Sequence, residues 1–105
     1  MTTFDKREEA FEKKFAHDEE LRFKATARRN KLLGLWAADK IGAEDADAYA
    51  KEVVRSDFEE AGHEDVFRKI RRDFDTAGIP IADTEIREQM NALMQVAIDQ
   101  VDQGI

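Results

Sequence analysis

EDVFRKIRRDFDTAGIP, residues 64–80, is the stretch that decides the fold. Val66, Phe67, Ile70 and Phe74 recur at spacings of one, three and four, which places them on one side of a helix and leaves the charged residues on the other. Gly78 stands where a helix commonly stops, and Pro80 pushes Ile79 out of helical conformation. The stretch therefore predicts a helix over about residues 64–76, followed by an extended "IPI" at 79–81 that tucks beneath its neighbours. A helix with one greasy stripe needs other helices to cover it.

The flanking sequence supplies them. Downstream, a helix over about residues 84–102, capped by Asp83 or Thr84, carries Ile86, Met90, Leu93, Met94, Ala97, Ile98 and Val101. Upstream, a helix over about residues 44–60 presents Ala46, Tyr49, Ala50, Val53, Val54 and Phe58, with Glu44, Asp45 and Asp47 suiting its positive N-terminal end. Before Gly42 a longer helix, about residues 18–41, shows Leu21, Ala25, Leu32, Leu35 and Trp36 on its apolar side. Gly34, inside "LLGLW", reads as a close helix contact. Four amphipathic helices with short connections close into an antiparallel bundle, so the expected fold is all-α with a four-helix domain over residues 18–105.

Composition agrees with that reading and narrows the function. Of 105 residues, 42% are apolar and 39% charged, the latter well above the roughly 25% of an average domain. There is no cysteine, which excludes disulfides and thiolate metal sites and suits a reducing, cytoplasmic setting. No apolar run approaches the roughly 20 residues that cross a bilayer, and the N-terminus lacks the order of a signal peptide. Direct membrane insertion is therefore not expected. Residues 1–31 carry nine Lys/Arg against seven Asp/Glu, and the remainder eight against seventeen. An acidic body argues against nucleic acid, which needs a basic footprint.

Residues 1–17 stand apart. On a helix turning about 100° per residue, Phe11 and Phe15 fall roughly 20° to either side of Phe4, so three rings form one narrow line. A bundle-facing helix shows a band at least about 100° wide. The seam also ends at charged Asp18 and Arg22, which excludes a sustained coiled coil. Too little apolar surface is present to hold this segment folded alone. We expect an N-terminal arm, largely disordered when free, that becomes helical in a partner's groove. Glu9 with Lys13 has the helix-favouring order, at only about 0.2–0.5 kcal/mol.

Catalytic material is scarce. The single serine, Ser56, lies inside a helix with no histidine near in sequence. His17 and His63 belong to different segments and fit no zinc-ligand spacing, and "HDEE" at 17–20 reads as a solvated helix start. No glycine-rich phosphate loop occurs. We expect no enzyme activity, no metal and no cofactor. Lys24, Arg28 and Lys31 share a helical face with Arg29 beside it. That face reads first as solvated and ion-paired, and second as a contact for an acidic partner.

With these residues in view, "FDKREEAFEKKFAHDEELRFKATARRNKLLGLWAA" (4–38) closely resembles the ζ subunit family, natural inhibitors of the alphaproteobacterial F-type ATP synthase. "YAKEVVRSDFEEAGHEDVFRKIRRDF" (49–74) and the pair Ile86–Arg87 resemble it too. The resemblance implies a four-helix domain and a mobile N-terminal segment. That segment enters a catalytic subunit interface of the soluble ATPase head, contacting its alpha, beta and gamma subunits, and blocks rotation in the hydrolysis direction. Carried onto this chain, the inhibitory stretch is Thr2 to about His17, with Phe4, Asp5, Arg7, Glu8, Lys14 and Phe15 matching the family motif. Phe11 would add the third ring, and Lys13 would join the polar rim. Lys24, Arg28, Arg29 and Lys31 form a possible secondary contact. The free protein is expected to be a monomer, in the cytoplasm and peripherally associated with the membrane-bound synthase. The alternative is a small helical module that binds a ligand or nucleotide between its helices.

Overall fold

The computed structural model describes the backbone of residues 3–58 and 64–104, and the side chains of residues 19–58 and 64–104. Among these the chain forms four helices and no strand: α1 (Thr3–Ile41), α2 (Ala46–Ser56), α3 (Asp65–Ala77) and α4 (Asp83–Asp102). The fold is all-α. Asn30 of α1 bonds Asp57 just beyond α2, while Gly34 packs on Ala50, so these two helices run in opposite directions. Tyr49 meets Asp73 and Glu52 meets Lys69, which sets α2 antiparallel to α3. Glu64 pairs with Arg87 and Arg71 with Asp83, so α3 and α4 are antiparallel as well.

Helix α1 begins at Thr3, whereas the periodicity places the start of the first bundle helix near residue 18. No glycine or proline occurs before Gly34, so nothing in the intervening sequence breaks the helix. The side chains of residues 1–18 lie outside the described residues. The backbone of residues 3–17, expected as an arm largely disordered when free, continues α1 here, and the contacts expected of that arm's side chains lie outside the described residues.

The core is made by Leu33, Ala37, Val53, Val66, Phe67, Ile70, Phe74, Ile86 and Met90. The α3 stripe read from the sequence is buried in full, with Val66, Ile70 and Phe74 losing all exposure. Trp36 lies against Phe74 edge to face, with centroids 5.6 Å apart. Along α1 the buried line is Ala25, Asn30, Leu33, Ala37 and Ala38, rotated from the expected one, and Leu32, Leu35 and Trp36 are half-buried. The rotation follows from α2 crossing over Gly34. The close approach there draws Leu33 and Ala37 inward.

Chain ends of helices are secured locally. Gly42, at φ 78°, and Gly78, at φ 72°, turn left-handed after α1 and α3. Asp45 caps α2 by accepting the Ala48 N–H at 3.0 Å. No side chain caps α4: Asp83 instead pairs with Arg71 at 3.0 Å. The same guanidinium donates to the Ile81 carbonyl at 2.6 Å, so it fastens the extended connection read from Pro80. Helix α2 stops at Ser56, short of the expected residue 60. The buried Ser56 hydroxyl donates to the Val53 carbonyl at 2.6 Å, and Phe58, beyond the end of the helix, is exposed rather than on the core face.

Gly34 admits a direct prediction. A Cβ there would lie 2.6 Å from the Ala50 Cα, a backbone atom that cannot move without separating α1 from α2. The helix-propensity gain of Gly34→Ala, about 1 kcal/mol, is outweighed by overpacking of roughly 1–3 kcal/mol. Larger residues should be worse. Thermal melts followed by circular dichroism are expected to show a lower Tm for Gly34→Ala and a further drop for Gly34→Val.

Candidate partner-binding surface

Two polar assemblies mark the faces of the bundle. At the α2–α3 seam the Tyr49 hydroxyl donates to Asp73 at 2.7 Å. Lys69 pairs with the same carboxylate at 3.0 Å and with Glu52 at 3.5 Å, and its ammonium sits 5.1 Å from the centre of the Tyr49 ring. Burial, followed by the Asp73 contact, raises the Tyr49 phenol above its ordinary value of 10.0. A phenol whose folded value is raised contributes stability below its unfolded value and loses it as pH climbs through the folded one. Tyr49 is the only tyrosine in the chain, so ultraviolet absorbance reports it alone. Its ionisation step should be delayed beyond pH 10 and should coincide with alkaline unfolding followed by circular dichroism. Phenolate appearing near pH 10 in the folded state would contradict the arrangement.

The second assembly lies on the half of α1 that precedes Gly34. Asn30 is buried, donates to Asp57 at 3.1 Å and accepts from the Arg29 Nε at 2.9 Å. This triad closes the junction between α1 and the end of α2. Burial pushes the Arg29 guanidinium down, and the Asp57 charge works the other way. Beside it Arg28 donates to Gln100 of α4 at 2.9 Å. The expected basic face thus divides. Arg28 and Arg29 turn into the bundle's grooves, whereas Lys24 and Lys31 are exposed, Lys24 pairing with Glu20 of its own helix at 3.1 Å.

Between α1 and the second half of α4 runs a cleft of about 670 Å³. Leu21, Ala25, Met94, Ile98 and Val101 line its floor, with Arg22, Arg29, Asp57 and Asp102 along its edges. Around the other side of α1, Phe23 and Phe58 stand exposed together beside Val54. The sequence reading had placed Leu21, Phe58, Met94 and Ile98 in the core and had not marked Phe23 at all. A phenylalanine off the helix's apolar line was the available signal.

The arm residues Phe4, Asp5, Arg7, Glu8, Phe11, Lys13, Lys14 and Phe15 lie outside the residues whose side chains are described. Among the described residues no group of three or more His, Asp or Glu is placed to hold a metal ion. No helix among them is long and apolar enough to cross a membrane.

The described residues thus define a small all-α bundle with an open apolar cleft edged by Arg22, Arg29, Asp57 and Asp102. Over residues 1–100 the chain matches the family described as ATPase inhibitor subunit zeta, and it belongs to that family. It is therefore an ATPase-inhibitor subunit by family, which bears out the resemblance read from the sequence. Comparison with curated proteins gives no match.

Proposed function

We propose that this chain inhibits ATP hydrolysis by an F-type ATPase, with residues 2–17 entering a catalytic subunit interface of the soluble head as a helix. Once seated, the helix obstructs rotation in the hydrolysis direction. The observation that carries the reading is the spacing of Phe4, Phe11 and Phe15 in the sequence, which puts the three positions on one narrow helical line. The line is too narrow for a bundle face and of the right form for a helix laid in a groove. Family membership supplies the target class.

On this reading the rings are the anchors, Asp5, Arg7, Glu8, Lys13 and Lys14 set register along the polar rim, and the bundle roots the arm. The action is steric and uses no chemistry of its own. The test is deletion of residues 2–17, with hydrolysis by the purified head as readout. The shortened chain should keep its helical spectrum and lose inhibition. Equal inhibition by the shortened and full chains overturns the proposal.

A further inference from the structure

We propose that the cleft between α1 and the C-terminal half of α4 is a second docking site, for an amphipathic helix of the ATPase head that carries carboxylates two turns apart. The inference rests on the inhibitory reading for its partner and adds a site that the arm does not include.

The cleft exists because the helices differ in length. α4 has 20 residues and α3 has 13. The contacts of α3 reach α4 at Asp83 and Arg87, and they reach α2 at Tyr49 and Glu52. In the core the residues of α3 share a cluster with Ile86 and Met90 of α4, with Leu93 packed at the edge of it, while Arg28 of α1 bonds Gln100 near the far end of α4. At that end, among the described residues, α1 and α4 pack beside the end of α2. A four-helix cross-section thus becomes a three-helix one. The cleft there is floored by Leu21, Ala25, Met94, Ile98 and Val101, and Ile98 remains 43% exposed. A helix is the element that normally fills such a position.

Charge chooses the occupant. The body of the chain is acidic, with eight Lys/Arg against seventeen Asp/Glu after residue 31, yet Arg22 and Arg29 stand on one wall of this cleft. They are seven residues apart, so their guanidinium groups repeat after two helical turns, about 10.5 Å along α1. A partner helix with Asp or Glu at positions i and i+7 meets both while its apolar face covers Ile98 and Met94. Asp57 and Asp102 on the remaining edges disfavour a polyphosphate and suit a peptide with mixed charge. Position supports the same choice. Leu21 follows His17 by four residues, about 6 Å along the helix, so the cleft opens directly beside the proposed arm interface.

The test uses the full chain with a photoreactive residue at Ile98 in one preparation and at exposed Glu88 in another, each bound to the purified ATPase head. Cross-linked peptides are identified by mass spectrometry. In parallel, Arg22→Glu and Ile98→Lys are measured for affinity to the head, with thermal melts to verify folding. Both side chains are exposed, so if one variant fails to fold the other keeps the test decisive. We expect cross-linking from position 98 to a helical segment bearing acidic residues two turns apart, and affinity about tenfold weaker for each variant. Chains that bind and inhibit but cross-link no more from 98 than from 88 overturn the cleft and leave the arm reading standing. Failure of the full chain to bind the head overturns both. A cross-link to a second copy of the chain, or protection of position 98 by ATP or ADP alone, also overturns the proposal.

Discussion

Alanine at Phe11 or Phe15 is expected to weaken binding to the ATPase head by about 30- to 1000-fold, the equivalent of losing a buried aromatic anchor at roughly 2–4 kcal/mol. Phe4, at the end of the line, should lose less because a helix terminus frays. The argument is geometrical. Three rings within about 40° of one another on a helix can share one groove, and each contributes apolar area that nothing else on the segment replaces. Rim substitutions such as Lys14→Ala should reduce affinity severalfold at most, with an effect that fades as salt rises. The measurement is a titration of hydrolysis against each variant at two ionic strengths, with thermal melts alongside. Ring variants that lower the melting temperature as strongly as a core substitution would place those rings in the protein's own interior and remove the physical basis of the arm.

How legible the bundle was depended on how self-contained each helix is. In α3 four large apolar residues fall on one side and the other positions, the terminal Ala77 apart, are polar, so Val66, Phe67, Ile70 and Phe74 could be assigned from spacing alone. In α1 apolar residues occupy several faces, and the neighbour decides which face is buried. Gly34 was readable as a close contact, but the resulting rotation toward Leu33 and Ala37 was not, because it depends on where α2 crosses. Asn30 was invisible for another reason: a buried amide is stabilised by Asp57 and Arg29, which lie elsewhere or look like surface residues in the sequence. The α4 cap failed similarly, since Asp83 serves Arg71 across the α3–α4 connection.

The cleft differs in kind. It lies where, among the described residues, α3 does not accompany α4, and no single residue signals that. Its signal lay in the unequal lengths of the third and fourth helices, about residues 64–76 against 84–102, which the periodicity already gave. Apolar residues at the end of the longer helix, such as Ile98, then have no partner of the shorter one. Reading Met94, Ile98 and Val101 as core followed the stripe correctly but assumed that something covers it.

Phe74→Ala is the substitution expected to damage the bundle most. Phe74 has no exposure, meets Trp36 edge to face at 5.6 Å, and shares the central cluster with Leu33, Ile70 and Ile86. Removing a buried phenylalanine costs about 3–5 kcal/mol, against a total of about 5–15 kcal/mol for a domain. A fall in Tm of more than about 12 °C should follow. Trp36, the only tryptophan in the chain, provides a fluorescence readout at the site itself. Phe58→Ala is the control, because that ring is 69% exposed and should change stability little. The pair also separates the two proposed contacts. Assayed between the melting temperatures of the variant and the parent, Phe74→Ala disassembles the cleft but leaves residues 2–17 covalently intact. If the arm supplies most of the binding and the cleft about a tenfold share, the unfolded variant should inhibit about tenfold less well, while the Phe11 and Phe15 variants, fully folded, should lose much more. The reverse order would shift the inhibitory contact from the arm to the bundle.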